Sequence, residues 1–510
     1  MSQFSVLYPP SVELPAHLEQ PPAYFGDLNL DQLVDWVTAS KQEYHLKPFY
    51  YTAVQDEETV QFRQAIVRDL LEETTLQKLQ KFAEQMVILR RYRKLVGELY
   101  HENHREGWFL EAVLVYVRAV TQLAQDLSDA DLQSQGLLAV RQAVGEYVAS
   151  DEFRRLQEEA EQLKQELGTV QYCITIKDST VRVRKYEGEA DYSSEVEKTF
   201  EKFKQGAVKD YSVKLNIVSS MNHIEAQILD LVARLYPELF GRLHRFCAEH
   251  AEFGADFILT FDREMQFYLA YLETILPLMK GGLKFCLPAV SRSSKEVLAA
   301  EAFDLALAIQ MRGEIFRIVP NDFRLSGTER VIIVSGPNQG GKTTFARMFG
   351  QLHHLACLGL PVPGREARLF CFDHIFTHFE QEEDIRKLRG KLNEELVRMR
   401  EIFERATPQS LLIFNEPFNS TTLKDALFLS HQIMQRVLEL DVLCVWVTFL
   451  TELASASEKT VSMVSTVDAE DTSRRTFRIL RRPADGLAFA ITIAEKHRLT
   501  YRQLKERISP

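Results

Sequence analysis

The sequence predicts a multidomain fold: an all-helical region carrying one small β-hairpin, followed by an α/β domain. Three observations predict it. Apolar residues recur at three and four over much of residues 28–284, the mark of amphipathic helices. From about residue 285, short apolar runs bounded by turn residues alternate with helical stretches, which indicates a largely parallel sheet. Between them, near residues 170–186, the period falls to two. At about 100–200 residues per domain, the 510 residues allow two to four domains.

Residues 1–27 are rich in proline (Pro9, Pro10, Pro15, Pro21, Pro22) and read as an extended arm. The stretch 75–127 is charged and almost free of helix breakers, with Leu79, Phe82, Met86, Leu89 and Tyr92 on one face; it predicts long amphipathic helices. Phe153, Leu156, Ala160, Leu163 and Leu167 are spaced 3-4-3-4, a helix that Gly168 ends. It is either coiled-coil-like or a single amphipathic helix, because two heptads do not decide. Then Val170, Tyr172, Ile174 and Ile176 alternate with polar residues, Asp178-Ser179 offers a turn, and Val181 and Val183 resume the alternation. This is a hairpin. Its second strand carries Arg182, Arg184 and Lys185. Those cations suit a phosphate backbone, although a solvated face is the commoner meaning of a charge run. Four later runs, 330–334, 411–414, 442–447 and 477–480, predict strands.

Composition excludes several classes. Hydrophobic residues are 45% and charged residues 26%, which excludes disordered and collagen-like chains. The net charge of -11 means that any nucleic-acid surface must be a local patch. The six cysteines are scattered without CxxC spacing, so a zinc site or a disulfide framework is not indicated and a reduced, cytoplasmic chain is expected. The N-terminus lacks the pattern of a secretory signal. No apolar run approaches the ~20 residues of a membrane span, and no membrane partner is expected.

One motif carries chemistry. The apolar run 331–335 leads straight into Gly336-Pro337-Asn338-Gln339-Gly340-Gly341-Lys342-Thr343-Thr344, and a helical pattern follows. This is the P-loop GxxxxGK[ST] in its required strand–loop–helix setting. Converging backbone N–H groups and the helix N-terminus form an anion site. Lys342 is placed for the β- and γ-phosphates, and Thr343 for Mg²⁺. ATP and Mg²⁺ are therefore the expected ligands. A P-loop also needs an acidic partner on a neighbouring strand, and 411–414 ends in Asn415-Glu416. Glu416 is the candidate catalytic base. Asn415 stands where an Asp usually orders the metal's water shell; an amide holds that water without charge and weakens Mg²⁺ binding.

These residues bear a resemblance. The P-loop is similar to that of the MutS family, which typically reads GPNMGGKST. Ile318-Val319-Pro320-Asn321-Asp322 resembles the family's segment before the first ATPase strand. Leu360-Pro361-Val362-Pro363, Asp373-His374-Ile375-Phe376-Thr377, Asn419-Ser420-Thr421-Thr422 with Asp425-Ala426, and Val447-Thr448-Phe449-Leu450-Thr451-Glu452-Leu453 resemble further family segments. A weaker likeness runs through 56–70. MutS proteins are DNA-associated ATPase dimers of the ABC class. The resemblance therefore implies a helical core-and-lever domain at 28–284 and an ABC-type P-loop ATPase domain at 285–510. It also implies ATP sites completed across a homodimer through the ATPase domains, and DNA, branched or duplex, as partner.

Departures from the family pattern shape the expectation. The residues before the core leave no room for mismatch-reading and connector domains, so direct mismatch reading is not expected. Gly390-Lys391-Leu392-Asn393-Glu394-Glu395 stands where the family has S-T-F-x-x-E, with Lys391 as the substitute for the Ser. Phe449 replaces a switch His, and Ile318 stands where an aromatic often stacks on adenine. With Asn415, these imply a divergent, slow ATPase. The first reading is an ATP-driven dimeric clamp or DNA-structure sensor. The alternative is a nucleotide-binding switch or scaffold with little hydrolysis and no DNA binding; a metabolic kinase fits less well. The basic clusters that separate the first two are Arg90, Arg91, Arg93 and Lys94; the hairpin's Arg182, Arg184 and Lys185; and Arg474, Arg475, Arg478, Arg481 and Arg482. In the third cluster Arg481 has adenine as an alternative partner. The pairs His353-His354 and His374 with His378 lack metal-ligand geometry.

Overall fold

The computed structural model describes residues 4–13, 15–178, 180–188, 221–380, 390–468, 474–484, 500 and 505. The chain divides into two compact units: residues 72–132 with 138–262, and residues 1–71 with 133–137 and 263–510. These units cut the chain differently from a division at residues 27 and 284. Periodicity identifies an apolar face but not the core that covers it.

The helical unit is built on two long helices, Glu73–Glu98 and Glu102–Ser128, joined by three residues. Lys78 Nζ donates to Asp126 O at 3.0 Å, and the Tyr92 and Trp108 rings meet at 4.9 Å, so the two helices run antiparallel. Leu79, Phe82, Met86 and Leu89 are all buried, as their spacing requires. Glu102–Ser128 also contains an 18-residue stretch long and apolar enough to cross a membrane, which corrects the reading that no such stretch exists; 56% of it is buried inside this unit, as in the core helix of a bundle. Ser150 caps the helix Asp151–Gly168 by accepting from Phe153 N at 3.2 Å. Phe153, Leu156, Ala160 and Leu163 are buried.

The hairpin forms as expected, from β1 (Tyr172–Lys177) and β2 (Thr180–Lys185). Its register pairs Ile174 with Val183 and Ile176 with Val181, and on the other face Thr175 with Arg182 and Cys173 with Arg184. One face is therefore apolar and the other basic.

The second unit is α/β. A small four-stranded sheet takes β4 (Ala289–Ser291), β5 (Val297–Ala302), β6 (Asn321–Leu325) and β9 (Glu366–Phe370); β3 (Phe285–Cys286) pairs with β8 (Val362–Pro363). The main sheet takes β7 (Val331–Ser335), β10 (Ile375–His378), β11 (Leu411–Asn415), β12 (Leu443–Val447), β13 (Thr460–Val467) and β14 (Arg475–Arg481), in the order β10-β11-β12-β7-β13-β14. Only β14 is antiparallel. All of β7 and β12, and all of β11 but Asn415, are buried, as in a sheet covered on both faces. Helices Lys391–Arg405 and Leu423–Leu440 bring Met399, Met434 and Val437 against Ile333, Leu412, Phe414 and Trp446 on one face.

The N-terminal residues belong to this unit's core. Val6 and Leu7 are fully buried, although the arm was expected to be extended. Glu264 accepts from Val6 N at 2.6 Å, Tyr268 OH donates to Val6 O at 2.6 Å, and Arg63 Nε donates to Leu7 O at 2.8 Å.

Candidate nucleotide site

The phosphate loop leaves the C-terminal end of β7 and enters the helix Lys342–Cys357. Gly341 is the N-cap, with φ +88 and no side-chain cap. A left-handed cap suits glycine, and it leaves the first helical N–H groups free of a side-chain partner. Gly340 lies so close to β13 that an added Cβ would sit 2.3 Å from Ser465 Oγ. Ser465 Oγ donates to Gly340 O at 2.7 Å and pins the loop to the sheet.

Lys342 is 5% exposed. Its Nζ donates to Gly336 O and Pro337 O at 3.1 Å each, lies 3.7 Å from Glu416 Oε1, and sits 4.3 Å from the centre of the Phe449 ring. Burial lowers the Lys342 pKa against the opposing pull of Glu416. Burial likewise raises that of Glu416 against the pull of Lys342. A carboxyl raised in this way is a better base near neutral pH.

Asn415 and Glu416 stand at the end of β11. That strand is not the immediate neighbour of β7 that the motif led us to expect, because β12 lies between them. The three parallel strands end on one edge, so the loop and helix start still reach across: Thr343 Oγ1 donates to Asn415 Oδ1 at 3.0 Å. Glu416 itself has φ +53, a conformation that costs a non-glycine residue energy; its N–H donates to Val447 O at 2.9 Å. The hydroxyl of Thr343, the amide oxygen of Asn415 and the nearby carboxylate form an all-oxygen donor set, which fits Mg²⁺. One carboxylate in place of two reduces the charge offered to it.

Other expected residues fall differently. Ile318 is buried, at 8% exposure, and offers no stacking face. Glu395, at the end of the altered signature stretch, is buried and accepts from Phe418 N at 3.0 Å, holding the segment after Glu416. The side chain of Lys391 lies outside the described residues. The Phe449 ring has no hydrogen-bonding group to offer a phosphate, and its centre lies 4.3 Å from Lys342 Nζ.

The basic clusters are partly used internally. Arg90 pairs with buried Asp262 at 2.8 Å, and Arg93 donates to Phe253 O and covers the Phe253 ring. Arg481 pairs with Glu329, and Arg475 Nε donates to Asn338 O at 3.1 Å. On the hairpin, Arg182 and Arg184 are exposed, and Lys185 lies 5.0 Å from the centre of the Tyr236 ring. His353 and His354 are buried in the phosphate-loop helix against Phe349 O and Tyr50 O. His374 lies just before β10 and is exposed, while His378 ends the strand and is buried.

Sequence reasoning missed Ser465, which β13 brings to Gly340 across 125 residues. No local pattern marks it.

A family profile described as MutS domain V matches residues 332–500. The DNA mismatch repair protein Msh3 of Mus musculus is 31% identical over 170 residues, which is 33% of this chain and 15% of that protein. Msh3 of Homo sapiens is 32% identical over 174 residues, again 33% and 15%. The DNA mismatch repair protein MutS of Shouchella clausii is 26% identical over 215 residues, 42% of this chain and 23% of that protein. The likeness thus spans less than a quarter of each relative's length.

Proposed function

This chain belongs to the MutS family, and from that premise we propose that it binds ATP, hydrolyses it slowly, and acts on DNA as an ATP-driven dimeric clamp or structure sensor without reading mismatches itself. The observation that carries the reading is the convergence of Lys342, Thr343, Asn415 and Glu416 at one edge of the sheet, with Glu416 3.7 Å from Lys342.

In this reading Lys342 exchanges the carbonyls of Gly336 and Pro337 for the β- and γ-phosphates. The N–H groups of the loop and of the helix start bind the remaining phosphate oxygens. Thr343, and Asn415 through water, would hold Mg²⁺, which would supply charge neutralisation on the phosphates. Glu416 takes the proton of the attacking water. A homodimer through the ATPase domains completes the site, and branched or duplex DNA is the ligand of the helical unit.

One observation favours the alternative, a nucleotide-binding switch or scaffold without DNA. Thr343 meets an amide at Asn415 where a carboxylate would bind the metal more tightly.

ATP binding and turnover by the purified protein, with and without branched or duplex DNA, test both. Lys342→Ala should abolish ATP binding. Glu416→Ala should keep binding and lower turnover by about 10²–10⁴-fold. Wild-type turnover should rise with one of the DNAs. Tight ATP binding with no turnover and no response to DNA would leave the switch.

A further inference from the structure

We propose that Glu102, Glu106 and His244 form a binding site for a divalent transition-metal ion of the zinc class within the helical unit. The inference is independent of the nucleotide reading.

The three residues come from two helices. Glu102 and Glu106 are four apart in the first two turns of Glu102–Ser128 and so share a face. His244 lies on the helix Pro237–Glu249, 138 residues beyond Glu106 in the chain. His244 Nδ1 is 2.6 Å from Glu106 Oε1 and 3.6 Å from Glu102 Oε1. One ligand atom from each residue lies within 4.8 Å of the others. Ligands at about 2.0–2.2 Å from a common ion stand about 3–4 Å from one another, so the three atoms are already near that spacing.

Charge gives the reason for an ion. The Glu106 side chain is 6% exposed, and a buried carboxylate is costly without a counter-charge. Its carboxylate is paired with His244, a ring that carries charge only while protonated. The hydrogen bond to Glu106 raises the His244 pKa, the direction expected where negative charge collects around an imidazole. Among the described residues no arginine or lysine pairs with Glu102 or Glu106. A divalent cation at this point takes the place of the proton on Nδ1 and offsets both carboxylates. The neutral ring keeps its other proton on Nε2, and an imidazolium releases one proton to solvent. Two carboxylates and one imidazole, with room for water, are the mixed oxygen and nitrogen set of zinc-class ions, whereas Mg²⁺ takes oxygen alone.

A second group shows the contrast. Glu159, Glu249 and His250 also come together. There Arg155 pairs with Glu159 at 2.7 Å and with Glu249 at 3.2 Å, so a cation of the chain's own already stands between the carboxylates. At Glu102 and Glu106 that place is left to an ion, which would tie the start of the long helix to Pro237–Glu249.

The test is titration of the metal-free full chain with Zn²⁺ in excess Mg²⁺, read by calorimetry and by the thermal midpoint. The chains are wild type, His244→Ala, Glu102→Ala and His250→Ala. The His244 and Glu102 side chains are 61% and 62% exposed, so both truncations leave the packing in place. Wild type should bind one Zn²⁺ and gain thermal stability from it. His244→Ala and Glu102→Ala should each weaken Zn²⁺ binding by about ten-fold or more and lose that gain, while His250→Ala should change neither. Glu102→Ala separates a bound ion from a simple Glu106–His244 ion pair, which that substitution leaves whole, and it decides the matter should His244→Ala disturb the fold. Equal Zn²⁺ affinity in wild type and Glu102→Ala overturns the proposal, as does a loss confined to His250→Ala. Weak binding common to all four chains, an adventitious ion only, overturns it as well.

Discussion

At Asn415 one side-chain amide sets the charge of the site. Its Oδ1 accepts from Thr343 Oγ1 at 3.0 Å, so the geometry for a metal's oxygen shell is present while a formal charge is missing. Asn415→Asp should therefore raise Mg²⁺ affinity by about ten-fold, the effect of about 1.4 kcal/mol, and steepen turnover at low Mg²⁺; an unchanged Mg²⁺ dependence would refute this. Lys342, Thr343, Asn415 and Glu416 were all legible in the sequence, because a phosphate loop is a contiguous motif and an apolar strand announces its own end. Ser465 and Phe477 were not. Each reaches the loop through pairing on β13 and β14 more than 100 residues downstream, and nothing local to a serine or an exposed phenylalanine records that approach.

At the scale of the element, the helix Lys342–Cys357 shows how tightly the site is mounted. A Cβ on Gly350 would meet Leu28 Cδ1 at 2.5 Å and Ile413 Cδ1 at 2.7 Å, so the helix is wedged between the N-terminal segment and β11. Gly350→Val should cost about 1–3 kcal/mol of stability through overpacking, read as a lower thermal midpoint, and Leu28→Ala in the same chain should recover part of it. The same helix carries His353 and His354, whose pKa values burial lowers to about 4; on β10, burial lowers His378 to about 4 as well. The folded values lie below the unfolded value near 6.5, so between about pH 6.5 and pH 4 the unfolded chain binds more protons. Stability is then fully present above about pH 6.5 and is lost as the pH falls towards about 4, at up to about 1.4 kcal/mol per pH unit for each histidine. Thermal midpoints from about pH 7 to pH 4 check this, and His354→Gln should flatten the slope whatever it does to the level. The helices over 75–127 and 153–167, the hairpin and four of the strands were legible from period, length and turn residues; β10, β13 and the strands of the smaller sheets, which are short or carry polar residues, were not read. That β11 and β7 are separated by β12 was not, since strand order is a long-range property.

For the whole molecule, charge decides what a DNA-binding reading can mean. The chain carries a net charge of -11, so attraction to DNA must come from a patch. In the first sequence cluster Arg90 neutralises buried Asp262 and Arg93 lies against Phe253, while Arg91 and Lys94 are exposed. In the third, Arg475 and Arg481 are engaged by Asn338 O and Glu329. The sequence could count these cations but not what holds them, just as it could not place residues 4–71 with the α/β unit rather than the helical one. On the hairpin, Arg182 and Arg184 share one face and are exposed, so that face is the candidate patch; Lys185 lies on the opposite face, 5.0 Å from the centre of the Tyr236 ring. Two phosphate contacts, from Arg182 and Arg184, predict a slope of about −2 in log K against log salt concentration for duplex DNA, at roughly −0.9 per contact. Charge reversal at Arg182 and Arg184 together should reduce that slope by about 2 and leave ATP binding untouched, since neither residue belongs to the nucleotide site. Binding that keeps its full salt dependence after the reversal would move the DNA surface elsewhere, and binding with no salt dependence would remove the phosphate backbone as the ligand.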